Sequence, residues 1–142
     1  MSTIQNLNQI RARHVLGFAN QHKRYDPDSH AYVTTIEGEN GGEIVKKIPP
    51  VVMNYGLLSA LAYSMETKVD SKTGRQKHHP WRIVFDGVAD HLSSREVAII
   101  PSEKNTAELL LDFLAEENTS SAKLRDATDE AMLWLEFARR LV

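Results

Sequence analysis

The chain has 142 residues, 42% hydrophobic and 25% charged, enough to bury one sizeable core and too apolar to stay disordered. It contains no cysteine, which excludes disulfides and thiolate metal sites and fits a reducing compartment. The net charge of −2 does not by itself mark a nucleic-acid binder, and no stretch approaches the roughly 20 apolar residues that cross a bilayer, so a cytoplasmic chain with no membrane partner is expected.

Ile4, Leu7, Ile10, Val15 and Phe18 form one apolar stripe, which predicts a first helix from about Thr3 to His22 with Ser2 or Thr3 as its N-cap. The start Met1-Ser2-Thr3-Ile4 lacks the basic and apolar runs of a signal peptide. Tyr25-Asp26-Pro27-Asp28-Ser29 ends the helix, since proline and short polar residues favour turns. Residues 31–36 and 43–45 are rich in β-branched side chains and flank Gly38-Glu39-Asn40-Gly41-Gly42, which reads as a short hairpin, with a loop or an interrupted helix as alternatives. Pro49 and Pro50 then open a helix in which Val52, Tyr55, Leu58, Ala62 and Met65 recur at helical spacing. Val51, Leu57 and Leu61 fill the other sides, so this stretch is expected at the centre of the fold. Gly56 costs about 1 kcal/mol against alanine in a helix interior, which points to close approach of another backbone. Thr67–His79 is polar and basic and reads as a mobile loop.

Pro80 begins the clearest amphipathic helix, with Trp81, Val84, Phe85, Val88, Ala89 and Leu92 on its core face. Val97–Ile100 packs on the bundle before Pro101 turns the chain. A further helix is predicted over Glu103–Glu117, with Leu109, Leu110, Phe113 and Leu114 inward. Asn118-Thr119-Ser120-Ser121 breaks it and caps a last helix, whose inner stripe is Leu124, Thr128, Ala131, Leu135 and Ala138 with Trp134 and Phe137 beside it. The expected fold is all-α: a compact bundle of about five to six helices, residues 1–142 forming a single helical domain, with one short hairpin or long loop at residues 26–47.

No catalytic constellation is visible, and no cofactor or metal is expected. His78 and His79 are adjacent and diverge on regular structure. Asp86 and Asp90 share one helix face, with a histidine nearby, but no second helix offers a complement. Gly38–Gly42 lacks the Gly-Lys-[Ser/Thr] ending of a phosphate loop. Nucleic-acid binding asks for less, only cations and exposed N–H groups on a suitable surface. Lys46-Lys47 before Pro49–Pro50 and Lys77-His78-His79 before Pro80 would join cations to helix starts, a combination that attracts anions. Charge is also segregated. Residues 1–24 carry Arg11, Arg13, Lys23 and Arg24 without an acid, and residues 66–82 are basic around Lys68, Lys72, Arg75, Lys77 and Arg82. Residues 103–117 reverse the sign with Glu103, Glu108, Asp112, Glu116 and Glu117. Such separation suits self-association or a partner gripped on one side, although uneven surface charge alone would produce it.

Lys47-Ile48-Pro49, Asn54-Tyr55-Gly56-Leu57, Ala60-Leu61-Ala62-Tyr63, Trp81 with its helix, and Thr128-Asp129-Glu130-Ala131-Met132-Leu133-Trp134-Leu135 followed by Arg139-Arg140 together resemble the small subunit of the Cmr complex, the type III-B CRISPR effector. The resemblance implies a non-catalytic all-α subunit that stacks in several copies beside other Cmr effector subunits, in contact with guide RNA and target RNA. Base pairing would read sequence, and this chain would hold the duplex by charge. Lys46, Lys47, Arg75, Lys77 and Arg82 are the expected RNA-binding face. Arg11, Arg13, Arg139 and Arg140 are expected either on RNA or against acids of the next subunit, such as Glu116 and Glu117. The alternative is a protein-only structural adaptor that does not contact RNA.

Overall fold

A computed structural model describes residues 6–36, 42–69 and 71–142. In chain order its elements are α1 (Leu7–Gln21), a hairpin of β1 (Lys23–Asp26) and β2 (Ala31–Thr34), α2 (Gly42–Tyr55), α3 (Leu57–Ser64), a hairpin of β3 (Thr67–Val69) and β4 (Gln76–His78), α4 (Trp81–Ser93), α5 (Ala107–Ala115) and α6 (Ser121–Leu141). The expected all-α bundle is observed, with two small antiparallel hairpins attached.

Helix α4 is the hub, in contact with α1, α2, α3, α5 and α6. Its predicted core face holds: Trp81, Val84, Phe85, Val88, Ala89 and Leu92 are all buried. The stretch from Pro49 to Met65, expected at the centre, is instead peripheral on one side, with Met53 and Tyr55 75% and 72% exposed. It is also two helices. Both prolines lie inside α2, because the buried stripe Ile44, Val45, Ile48 and Val52 runs back across them and packs on α4 and α6. Packing of that face outweighs the local signal of Pro49 and Pro50, and Ile44 and Val45 are helical where a strand was predicted.

Gly56 ends α2 for a reason other than close approach. Its φ of +90° is a backbone state costly for a side chain, and a Cβ there would meet nothing within 4 Å. The Gly56 N–H closes the last turn of α2 on the Val52 carbonyl at 2.9 Å, and its own carbonyl accepts from Ala60 N in the first turn of α3 at 3.2 Å.

The first hairpin pairs β2 with β1 and not with residues 43–45, in the register Lys23↔Thr34, Arg24↔Val33, Tyr25↔Tyr32 and Asp26↔Ala31. The turn is built by Asp26, whose carboxylate accepts from Asp28 N at 3.1 Å and Ser29 Oγ at 3.0 Å. Thr67–His79, expected as a mobile loop, contains the second hairpin in the register Thr67↔His78, Lys68↔Lys77 and Val69↔Gln76. The predicted caps Ser2 and Thr3 lie outside the described residues; Asn6 caps α1, accepting from Asn8 N at 2.8 Å. Helix α5 starts later than predicted, because Thr106 takes the N-cap position and accepts from Leu109 N at 3.2 Å. Ser120 caps α6 within the predicted break.

The close approach occurs instead at Gly87 of α4, where two aromatic side chains press against the helix backbone. A Cβ there would lie 2.6 and 2.8 Å from two ring carbons of Phe18 on α1 and 2.9 Å from Trp134 on α6. These are the rings of a buried edge-to-face pair, centroids 5.3 Å apart. Gly87→Ala is therefore expected to destabilise the protein by about 1–3 kcal/mol, seen as a lower midpoint in thermal or urea unfolding. Gly17→Ala in α1, where a Cβ would meet nothing within 4 Å, is the internal control and should be neutral or slightly stabilising.

Candidate nucleic-acid interface

The polar groups divide into an interior set that ties helices together and an exterior set of cations. The interior set is centred on Glu130 of α6, which falls in phase with the buried residues Ala127, Ala131 and Trp134 and is itself 5% exposed. Arg11 of α1 grips it in bidentate fashion, Nε to Oε2 at 2.6 Å and Nη2 to Oε1 at 2.7 Å, while Nη1 donates to Asn8 Oδ1 at 2.6 Å. His91 of α4 places Nε2 2.9 Å from Glu130 Oε2. A carboxylate only accepts, so His91 donates through Nε2, and in its neutral form its Nδ1 accepts from His14 Nδ1, 2.8 Å away. The His14 ring continues to Glu96, which also holds Arg13.

Burial alone would raise the Glu130 carboxyl, but the hydrogen bonds and charges of Arg11 and His91 outweigh it and hold the group at about 2. Burial pushes the His91 imidazole down, against the pull of its bond to Glu130. The hydrogen bond to Glu130 raises the Arg11 guanidinium further, against burial. His22, at the end of α1, is also pushed down by burial, partly opposed by Asp86.

Arg11, expected on an RNA or subunit surface, is thus 8% exposed and committed inside the molecule. Arg13 bridges to Glu96, and Arg82 is half-buried with Nη2 3.0 Å from Glu108 of α5. Lys46 and Lys47 are exposed on α2, and Arg75 is exposed just before β4. Lys77 lies in β4 opposite Lys68, with its side chain outside the described set. Arg139 and Arg140 are exposed in the last turn of α6, 3.7 and 4.0 Å from Glu136, contacts too long to hold them firmly. Lys46 and Lys47 therefore share one element, Arg75 and Lys77 a second, and Arg82 occupies a third.

Both expected helix-start anion sites fail. Pro49 and Pro50 are in mid-helix, and the Trp81 N–H that opens α4 is already taken by His79 Nδ1 at 3.2 Å. Asp86, weighed for a metal, accepts from Ala107 N at 2.7 Å and so caps α5. Among the described residues no group of three or more His, Cys, Asp or Glu is arranged to hold a metal ion, although Asp86, Asp90, His14 and His91 all line a cleft of about 450 Å³ between α1 and α4. No described helix is long and apolar enough to cross a membrane. Sequence reasoning missed the roles of Glu130 and His91. The available signal was a polar residue recurring in phase with an apolar stripe.

Fold and site together define a small helical protein whose buried charges bind helix to helix and whose remaining cations are carried largely on its surface. The chain belongs to the CRISPR-associated protein (Cas_Cmr5) family, whose model matches residues 7–142, and it is therefore a small subunit of the type III-B CRISPR Cmr assembly. No curated protein and no solved structure matches it.

Glu130→Ala leaves Arg11 buried without its counter-charge and is expected to cost about 3–5 kcal/mol in denaturant unfolding. The wild-type protein should also lose stability as pH falls, in two stages. Below about 6.5 the unfolded chain takes up a proton that buried His91 resists; below about 4.5 it protonates Glu130, whose folded carboxyl stays ionised down to about 2. The unfolded state binds more protons in both windows, so both contributions have the same sign. A stability profile measured from pH 7 to 3 should fall throughout, and Glu130→Ala should reduce its slope below pH 4.5.

Proposed function

We propose that this chain is a non-catalytic single-domain subunit of a type III-B CRISPR ribonucleoprotein in antiviral defence. It stacks in several copies and holds the guide–target RNA duplex through backbone charge. The observation that carries the reading is the outward placement of Lys46, Lys47 and Arg75 on a chain of the Cmr family. Phosphate contacts need cations within reach and no sequence-reading groups, because base pairing supplies specificity. With both helix-start sites occupied or absent, the grip falls to side chains: Lys46, Lys47, Arg75 and Lys77 first, then Arg82 beside its Glu108 contact. Arg13, Arg139 and Arg140 serve RNA or a neighbouring subunit. The second reading, a protein-only adaptor, is favoured by Met53 and Tyr55, 75% and 72% exposed on the helix that carries the lysines.

Titration of fluorescent duplexed RNA with the chain alone, and with the assembled complex, at two salt concentrations separates the two readings. A phosphate grip weakens steeply with salt through counterion release; an adaptor shows no contribution at either concentration. Replacing Lys46, Lys47, Arg75 and Lys77 together by alanine is expected to lower RNA affinity by at least about ten-fold and flatten the salt dependence. The unfolding midpoint should stay within the scatter of wild type. Unchanged affinity would exclude this face.

A further inference from the structure

We infer that Glu130, His91, His14 and Glu96 form a proton-gated clasp, which fastens the connector between α4 and α5 to α1 when the histidine pair takes up one proton and slackens when that proton is lost. The clasp lies behind the surface cations and works whatever they hold.

The four groups form one row. Glu130 Oε2 is 2.9 Å from His91 Nε2, His91 Nδ1 is 2.8 Å from His14 Nδ1, and His14 Nε2 is 3.3 Å from Glu96 Oε1. Each of these three contacts needs a proton between its heavy atoms. Two neutral imidazoles bring one N–H each and the ionised carboxylates bring none, so one contact is left acceptor against acceptor. A third proton completes the row. A fourth would set two N–H groups against each other between His91 and His14, so the pair has room for one added proton and no more. Burial pushes His91 down against its bond to Glu130, and the charges of His14 and Arg11 act in the same direction as burial. The added proton therefore rests on His14, whose side chain is 20% exposed. Without it the gap falls between His14 and Glu96, the longest of the three contacts and the one nearest solvent.

The other charges around the pair come from three elements. Arg11 and Arg13 of α1 are held by Glu130 of α6 and by Glu96. Asp86 and Asp90 of α4 line the cleft that the pair borders, as does His22 at the end of α1, and Asp86 is committed to Ala107 N. Arg13 keeps its hold on Glu96 in either protonation state, so loss of the proton slackens the clasp without opening it. What the clasp holds is a strained turn. Ala98 has a φ of +48°, a left-handed state costly for a residue with a side chain. Val97 and Ala98 N–H return to the Ser94 carbonyl at 3.2 and 2.7 Å, and Ile99 and Ile100 N–H reach the Leu92 carbonyl at 3.0 and 3.3 Å. From the α6 side Lys123 Nζ donates to the Ile99 carbonyl at 3.0 Å, and Glu96 is the tie to α1. Ala98, Ile99 and Ile100 also wall a groove of about 760 Å³ shared with Phe113. The proton on the pair thus sets how firmly that wall is held.

Amide hydrogen exchange of the full-length chain at pH 8 and pH 6, corrected for the intrinsic effect of pH on exchange, tests the clasp. Protection of the Val97, Ala98, Ile99 and Ile100 N–H groups is expected to rise about five-fold at the lower pH, with no rise at Leu110 of α5. Burial of His91 makes global stability fall toward acid, so a local rise cannot come from global unfolding. Glu96→Gln is the discriminating variant. Its amide N–H donates to the neutral His14 Nε2 and supplies the missing proton at either pH, while its carbonyl still accepts from Arg13. High protection is expected at both pH values. His14→Phe removes both bonds of the His14 ring and should give low protection at both. Should that variant fail to fold, Glu96→Ala makes the same loss from the exposed end. A wild-type chain whose protection does not change with pH overturns the inference. So does Glu96→Gln with low protection at both pH values, which makes the contact an ordinary ion pair, and so does a pH response that survives in His14→Phe or Glu96→Ala.

Discussion

The Arg11–Glu130–His91 cluster joins the first helix, the hub helix and the last helix through one buried carboxylate. Desolvating an ion pair costs several kcal/mol per charge, recovered only when geometry is good and the remaining donors and acceptors are satisfied. Here the pairing is bidentate, Asn8 takes a further guanidinium N–H, and His91 supplies a third bond to the carboxylate. The bonds are directional, so they fix where α1, α4 and α6 stand along one another, which an apolar interface alone does less sharply. The Phe18–Trp134 pair beside Gly87 has the same consequence by shape: α4 can approach only at the residue that carries no side chain. Trp134 Nε1 is buried without a hydrogen-bond partner among the described residues, so packing has been favoured there over polar satisfaction.

With acids and bases nearly balanced in sum, what the molecule can hold depends on where each charge points. Arg11 is withdrawn into the core, and Arg13 and Arg82 are tethered to glutamates. The cations of α2, of the β4 approach and of the α6 end face outward on three different elements. Since the backbone N–H groups expected to help are absent or already used, any hold on a polyanion comes from flexible side chains. Such a hold adapts to shape and is indifferent to base identity.

Much of the fold was legible from periodicity. The face of α4 and the cap of α6 were readable because apolar spacing and a polar break agree there. Errors arose where a strong local signal met an opposing tertiary one. Pro49 and Pro50 read as a helix start, yet the buried stripe from Ile44 to Val52 carries the helix through them. Gly56 read as a contact point and is a conformational break, while the true contact glycine, Gly87, stood unremarked inside a clean amphipathic pattern. Tyr32 and Val33 were correctly strand-like, but their partner strand, Lys23–Asp26, lay just past the expected helix end at His22, where Tyr25-Asp26 read as a turn. The candidate site was the least legible part. Exposure, ion-pairing and capping at Arg11, Arg82 and His79 depend on residues far off in the chain, and spacing does not encode them.

The two prolines within α2 carry a mechanical implication. Proline has no backbone N–H, so Pro49 and Pro50 contribute no donor to the hydrogen-bond ladder of α2. The turn from which Lys46 and Lys47 project therefore relies less on backbone hydrogen bonds than the turns on either side. Packing takes over the task there, because Val45, Ile48 and Val52 are all buried beneath the two lysines and anchor that backbone to the bundle from within.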